Sequence, residues 1–240
     1  CRAGRGSWLT QGSRSFTTLA STTNLVLLDR STQTARLSWN ALPQSPSSAS
    51  AAGYRLEAST TNFSGGVTLT TSTYDVRFST LTMQNILANT TYYFRMGTLN
   101  QDDAPNYTEK LSTITLAVPI SANLLNTEVF PRSVKVNLNS PLPSAPRENT
   151  CEGYLLQASS VNFTGGSVIH SSFSYSNVTN SLTAAGLRPN TVYHLRIGTL
   201  NWDRTPNFTA LPDARTLISD ALPSAALYAI WASSAAVSFE

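Results

Sequence analysis

The segment Gly53-Tyr54-Arg55-Leu56-Glu57-Ala58-Ser59 returns one hundred residues later as Gly153-Tyr154-Leu155-Leu156-Gln157-Ala158-Ser159. Asn62-Phe63-Ser64-Gly65-Gly66 returns at the same shift as Asn162-Phe163-Thr164-Gly165-Gly166. Tyr92-Tyr93-Phe94-Arg95-Met96-Gly97-Thr98-Leu99-Asn100 becomes Tyr193-His194-Leu195-Arg196-Ile197-Gly198-Thr199-Leu200-Asn201, and Pro105-Asn106-Tyr107-Thr108 becomes Pro206-Asn207-Phe208-Thr209. Matches spread over a whole period mark two homologous units. The ends continue the pattern. Ser234 to Glu240 aligns with Ser133 to Asn139 and with Ala35 to Asn40, while Thr18-Leu19-Ala20 matches Thr115-Leu116-Ala117 and Thr216-Leu217-Ile218. Cys1-Arg2-Ala3-Gly4 can be laid on Phe94-Arg95-Met96-Gly97. The sequence therefore reads as the end of one repeat (1–20), two full repeats (21–117 and 118–218) and the start of another (219–240), a window on a longer array.

Within each repeat apolar and polar residues alternate over short runs, the period of a half-buried strand. Ala35, Leu37 and Trp39 fall on one face, as do Tyr54, Leu56 and Ala58, and Tyr92, Phe94 and Met96. Val67 and Leu69 are expected to form a short strand after the Asn-Phe-Ser-Gly-Gly turn, where glycine permits positive φ. No useful stretch carries helical periodicity. Strand-sized segments separated by turn residues predict an all-β sandwich.

The detail resembles the fibronectin type III family. That family carries Leu, Pro and Tyr at fixed spacing at a strand-to-strand corner. Leu187-Arg188-Pro189-Asn190-Thr191-Val192-Tyr193 matches closely, and Ile86-Leu87-Ala88-Asn89-Thr90-Thr91-Tyr92 matches without the proline. In this tyrosine corner the ring supplies buried area while its hydroxyl reaches an upstream backbone group. Trp39 stands where the family places its core tryptophan, a position taken by Leu138 and Phe239 in the later repeats. The resemblance covers nearly the whole chain. It implies immunoglobulin-like sandwiches in series with a core built on Trp39, Tyr54, Tyr92, Tyr154, Leu187 and Tyr193. Short connections at Leu116–Ala122 and Leu217–Leu222, stiffened by Pro119 and Pro223, imply an extended rod.

Charged residues make up only 12% of the chain, against roughly 25% in an average soluble domain. Ser, Thr and Asn take their place, a surface suited to an extracellular or cell-surface setting. An exported chain implies a leader that has been removed or lies outside this sequence. The net charge of +3 comes from scattered Lys and Arg, which excludes a nucleic-acid or polybasic membrane patch. Arg2, Arg5 and Arg14 read as a solvated segment. Cys1 and Cys151 make no disulfide framework and have no metal-ligand spacing. No apolar run approaches the roughly 18 residues of a membrane helix.

No convergent set of reactive groups emerges, so catalytic, cofactor and metal sites are not expected and the chain reads as a non-enzyme. His194 alternates outward on a strand, and His170 lies in a Ser-rich run without a counterpart in the first repeat. Asp102, Asp103, Trp202 and Asp203 sit in equivalent loops after the Gly-Thr-Leu-Asn segments and form a candidate ligand loop. A calcium ion needs six to eight oxygens, so turn-forming aspartates are the better reading. Trp202, Phe208 and Tyr107 could stack on carbohydrate, or cover the open end of the sandwich. Neither loop contains Arg-Gly-Asp. Sequons for N-glycosylation occur at Asn62, Asn89, Asn106, Asn162, Asn177 and Asn207, with Asn62/Asn162 and Asn106/Asn207 in equivalent places.

A series of such domains supplies reach and continuity. The sequence therefore reads as a structural scaffold or spacer of an extracellular or cell-surface fibre or filament, self-associating where a neighbour completes a partial sandwich by strand addition. The partner on this reading is another copy or a neighbouring repeat. Two alternatives stand beside it: an adhesion module whose end loops bind a glycan or surface protein, and spacer domains of a secreted polysaccharide hydrolase.

Overall fold

Alternation in the sequence becomes pleated strand in the structure, a computed structural model that describes residues 17–166, 168–218, 225–230 and 234–239. The placements suggested for Cys1 to Gly4, for the three N-terminal arginines and for Pro223 lie outside the described residues.

In the first repeat, β1 (Val26–Arg30), β2 (Ala35–Ser38) and β5 (Thr80–Met83) form one antiparallel sheet in the order β1-β2-β5. The facing sheet contains β3 (Gly53–Ser59), β4 (Thr68–Thr73), β6 (Thr91–Leu99), β7 (Pro105–Tyr107) and β8 (Leu111–Ile114). It runs β4-β3-β6-β7, with β8 continuing along β6. The second repeat reproduces this layout. Strands β9 (Leu125–Val129), β10 (Ser133–Leu138) and β13 (Ser181–Ala185) form the smaller sheet. Opposite lie β11 (Gly153–Ser159), β12 (Ile169–Ser174), β14 (Val192–Leu200) and β15 (Pro206–Arg215), ordered β12-β11-β14-β15. A last hairpin pairs β16 (Ala225–Ile230) with β17 (Ala235–Phe239).

Register converts the pattern into cores. Leu56 lies opposite Met96 and Ala58 opposite Phe94, and Leu156 and Ala158 face Ile197 and Leu195 in the same way. All eight are buried. Across the gap they meet Ala35 and Leu37 in the first repeat, and Val134, Val136 and Leu138 in the second. Each large apolar side chain buried this way contributes about 1.5–3 kcal/mol. Connections stay short: a single 3-10 turn at Ala122–Leu124 leads into β9.

Two tyrosines tie each core to its loops. Tyr54 and Tyr154 are fully buried. Their hydroxyls accept from the backbone N–H of Leu42 (2.7 Å) and Leu142 (2.8 Å) and donate to the carbonyls of Val76 and Asn177. Burial pushes the Tyr154 hydroxyl well above its ordinary pKa, so it remains a donor. The corner tyrosines Tyr92 and Tyr193 each accept from a backbone N–H five residues upstream, Leu87 and Arg188, at 3.0 Å. The glycine before each buried tyrosine has a steric cause. A Cβ on Gly53 or Gly153 would strike the backbone carbonyl of Thr73 or Ser174. Two details differ from expectation. The strand after the glycine turn begins at Thr68, leaving Val67 77% exposed, because only from Thr68 does the chain pair with β3. His170 does have a counterpart: it lies opposite Ala158 as Leu69 lies opposite Ala58.

Candidate functional site

Asparagine at the end of a long strand organises the loop that follows. The Oδ1 of Asn100 accepts from the backbone N–H groups of Asp102 (3.0 Å) and Ala104 (2.9 Å). Asn201 does the same for Thr205 at 2.8 Å. With its oxygen occupied by its own loop, the amide nitrogen of each side chain is turned toward the segment that precedes the repeat. Asn201 Nδ2 donates to the carbonyl of Thr115 at 3.1 Å, and Asn100 Nδ2 to that of Thr18 at 3.1 Å. One strand further on, Asn207 Nδ2 donates to Ala117 and Asn106 Nδ2 to Ala20, both at 2.8 Å. The same two side chains thus grip equivalent carbonyls at both places, with the same distances.

The junction between the full repeats adds a second element. Asn89 lies in the left-handed region (φ 47°), at the turn before β6, and is completely buried. Its Oδ1 accepts from the backbone N–H of Trp202 (3.2 Å), while its Nδ2 donates to the Thr150 carbonyl (3.4 Å) and to Glu152 Oε1 (3.3 Å). Thr209 Oγ1 donates to the Ile120 carbonyl at 2.8 Å. Arg30, at the end of β1, reaches Asp203 Oδ2 and Thr205 Oγ1, each at 2.8 Å, and Thr113 Oγ1 in its own repeat. Burial works to raise the pKa of Asp203, but hydrogen bonds from Thr205 and Arg30 and the guanidinium charge outweigh it, so the carboxyl sits below its ordinary value. Each neutral hydrogen bond contributes about 0.5–1.5 kcal/mol net, and leaving a buried partner unpaired costs about 1–3 kcal/mol.

These contacts reassign several residues singled out in the sequence. Trp202 and Asp203 belong to the junction: Trp202 through its backbone and a stacked Arg147 (4.5 Å), Asp203 through Arg30. Asp102 and Asp103 stay exposed in the equivalent loop of the first repeat. At the sequon Asn89 the side-chain amide is buried and engaged in hydrogen bonds. Asn106 and Asn207 spend their amides on the clamp, and Asn177 Nδ2 donates to Ser144 and Thr150. Asn62 and Asn162 sit exposed at turn tips.

Tyr107 and Phe208 have a different task. Arg95 is held between Phe63 (4.1 Å) and Tyr107 (3.8 Å), and Arg196 between Phe163 and Phe208 (4.0 Å each). The stacks hold Phe63 and Phe163 at positive φ, a costly conformation for an aromatic residue. Glu57 pairs with Arg95 at 2.8 Å, and Gln157 takes its place beside Arg196. Without a carboxylate, burial lowers the Arg196 pKa. His194 bonds Asp213 at 2.8 Å on the sheet surface. Cys151 is buried and free among the described residues, its thiol pKa raised by that burial.

No family model matches the sequence, and no curated protein matches it. Among solved structures the chain is similar to the FN1–FN3 domains of chicken CNTN1, at 13% identity and a TM-score of 0.40 over 81% of this chain. It spans 66% of that chain. It is also similar to a segment of two fibronectin type III domains from chicken tenascin, at 15% identity and a TM-score of 0.43, over 80% of this chain and 98% of that one. The fold is fibronectin type III-like. Its own strand order, three strands facing four or five, and its two tyrosine corners carry that statement.

Asn201, Arg30, Thr150 and Glu152 at the junction, and Asn100 in the equivalent place of the first repeat, carry no motif that marks them in the sequence. Asn100 and Asn201 did recur in register. That recurrence was the available signal, and it read as scaffold.

Proposed function

We propose that this chain is a structural module, a scaffold or spacer of an extracellular or cell-surface fibre, in which the repeats 21–117 and 118–218 are held in a set orientation. One observation supports this reading: the asparagine clamp occurs twice, on equivalent carbonyls, at the same distances. Side chains that face a preceding repeat have no use in domains strung on loose linkers. The unusually low charge and the Ser/Thr/Asn surface fit an exported setting. No helix among the described residues is long and apolar enough to cross a membrane. The clamp is tested with Asn89→Gly/Asn207→Ala, which keeps the left-handed turn while removing the contacts. Small-angle scattering should show a broadened distance distribution, with near-UV circular dichroism of the cores unchanged. An unaltered scattering profile would remove the support for this reading.

Adhesion is favoured by a different feature. Phe173 and Tyr175 are 60% and 54% exposed, lie 5.0 Å apart, and carry Arg204 stacked on Tyr175 at 4.2 Å. An exposed aromatic pair beside a guanidinium suits a sugar or an acidic surface. On this reading Tyr175→Ala abolishes saturable binding to immobilised glycans and leaves the junction intact.

A further inference from the structure

The acceptor face that the first repeat presents to the second is rebuilt, atom for atom, at the far end of the second repeat. In the first repeat Asn89 N–H donates to the Leu116 carbonyl (3.1 Å) and Thr90 N–H to Thr115 Oγ1 (3.0 Å). Thr115 Oγ1 in turn contacts the carbonyls of Leu87 (2.6 Å) and Thr90 (3.2 Å). In the second repeat Asn190 N–H donates to Leu217 (2.9 Å) and Thr191 N–H to Thr216 Oγ1 (3.0 Å). Thr216 Oγ1 contacts Arg188 (2.6 Å) and Thr191 (3.2 Å). Asn190 even shares the left-handed backbone, at φ 48° against 47°.

What differs is cover. Asn89 is fully buried against the second repeat and Ala117 packs in that repeat's core, whereas among the described residues Asn190 is exposed, Leu217 is 52% exposed and Ile218 is 74% exposed. At the opposite end, the described residues form a matching groove. Around Asn100 an open groove is lined by Thr17 to Ala20, Ser50 and Gln101, the equivalents of Ile114 to Ala117, Thr150 and Trp202. In the second repeat Asn89 sits among those same positions. Each repeat therefore carries an asparagine corner at one end and a socket for one at the other.

We infer that the Asn190 corner is an interaction surface for a following repeat of this same kind, the one that β16 and β17 open. That repeat would place its counterpart of the Trp202 N–H on Asn190 Oδ1. Its counterparts of Asn201 and Asn207 would grip the carbonyls of Thr216 and Ile218. The contact is head-to-tail. It does not use the same patch twice, so each repeat can pass the contact on to the next. This inference rests on the scaffold reading above and adds the chemistry of the partner.

The test continues the intact 1–240 chain with a copy of residues 140–218, which completes the third repeat with the second repeat's own strands. Amide exchange followed by NMR compares the copied tryptophan's backbone N–H with that of Trp202, the internal standard bonded to Asn89. The copied amide is expected to be protected to a similar degree. Asn190→Gly should accelerate its exchange about five- to tenfold, the loss of one hydrogen bond, and leave Trp202 unchanged. A copied amide that exchanges freely in a folded third repeat, while Trp202 stays protected, overturns the inference and leaves the scaffold reading standing. Free exchange at both amides sinks that reading as well. If the third repeat does not fold, the chain 1–240 continued with residues 41–117, the first repeat's strands, puts the Gln101 counterpart on Asn190, and its unprotected N–H counts equally against the surface.

Discussion

Tyr193 and Tyr92 show how a single hydroxyl can serve the same purpose twice. Each accepts from a backbone N–H that would otherwise be lost in the turn, at the same 3.0 Å. Removing the hydroxyl leaves that N–H without its partner. Tyr193→Phe is therefore expected to destabilise the second repeat by about 1 kcal/mol, read as a lower urea midpoint with the m-value unchanged. Trp39 contrasts with them. Its indole Nε1 is buried without an acceptor among the described residues, and the ring packs on Tyr54 at 4.9 Å through apolar area alone. That explains why Leu138 can stand at the same place in the second repeat: the position asks for volume, not for a donor.

At the scale of elements, the long central strand of each larger sheet is pressed against its neighbour through a glycine. A Cβ on Gly198 would lie 2.8 Å from Pro206 Cβ and 3.1 Å from the Phe208 ring, so the strand pair β14–β15 has no space for a methyl group there. The same ring stacks on Arg196, which in turn holds Phe163 at positive φ. Gly198→Ala should therefore do more than its size suggests, costing about 1–3 kcal/mol as overpacking and loosening the Phe163 turn as well. Hydrogen exchange across residues 160–166 would detect the second effect. Loss of stability without faster exchange at the turn would mean that the stack does not transmit the strain.

For the molecule as a whole, pH reports on the junction. Asp203 is held below its ordinary carboxyl value by Thr205 and Arg30 once the two repeats meet. A lowered folded pKa stabilises the docked form fully above the ordinary carboxyl value of about 3.9. That contribution is lost as pH falls through the lower, docked value. Acidification below pH of about 4 should uncouple the repeats before it unfolds them. Trp202, stacked on Arg147 beside Asp203, is the natural fluorescent reporter of that step. An Asp203→Asn variant should lose the acid-dependent phase while keeping the Thr205 hydroxyl contact to Arg30. Persistence of the phase in the variant would place the titrating group elsewhere.

Much of the fold was legible in the linear chain because strands obey a period of two and the repeat shows that period twice. Leu37, Leu56, Phe94 and Met96 could be assigned to one face from spacing alone, since a one-residue slip would turn every one of them to water. The corner tyrosines were legible for a similar reason: the spacing from residue 87 to 92 and from 188 to 193 is local. The junction was not. Asn89, Asn106 and Asn207 looked like sequons, and Asp203 and Trp202 like a loop open to ligand, because a side-chain amide is equally at home in water, on a glycan or on a carbonyl. Its partners lie 61 residues away for Asn89 and 90 for Asn207. Those amides acquire partners only when the fold brings together segments that far apart in the chain. The sequence by itself determined the sandwiches, and the tertiary structure decided which asparagines join them.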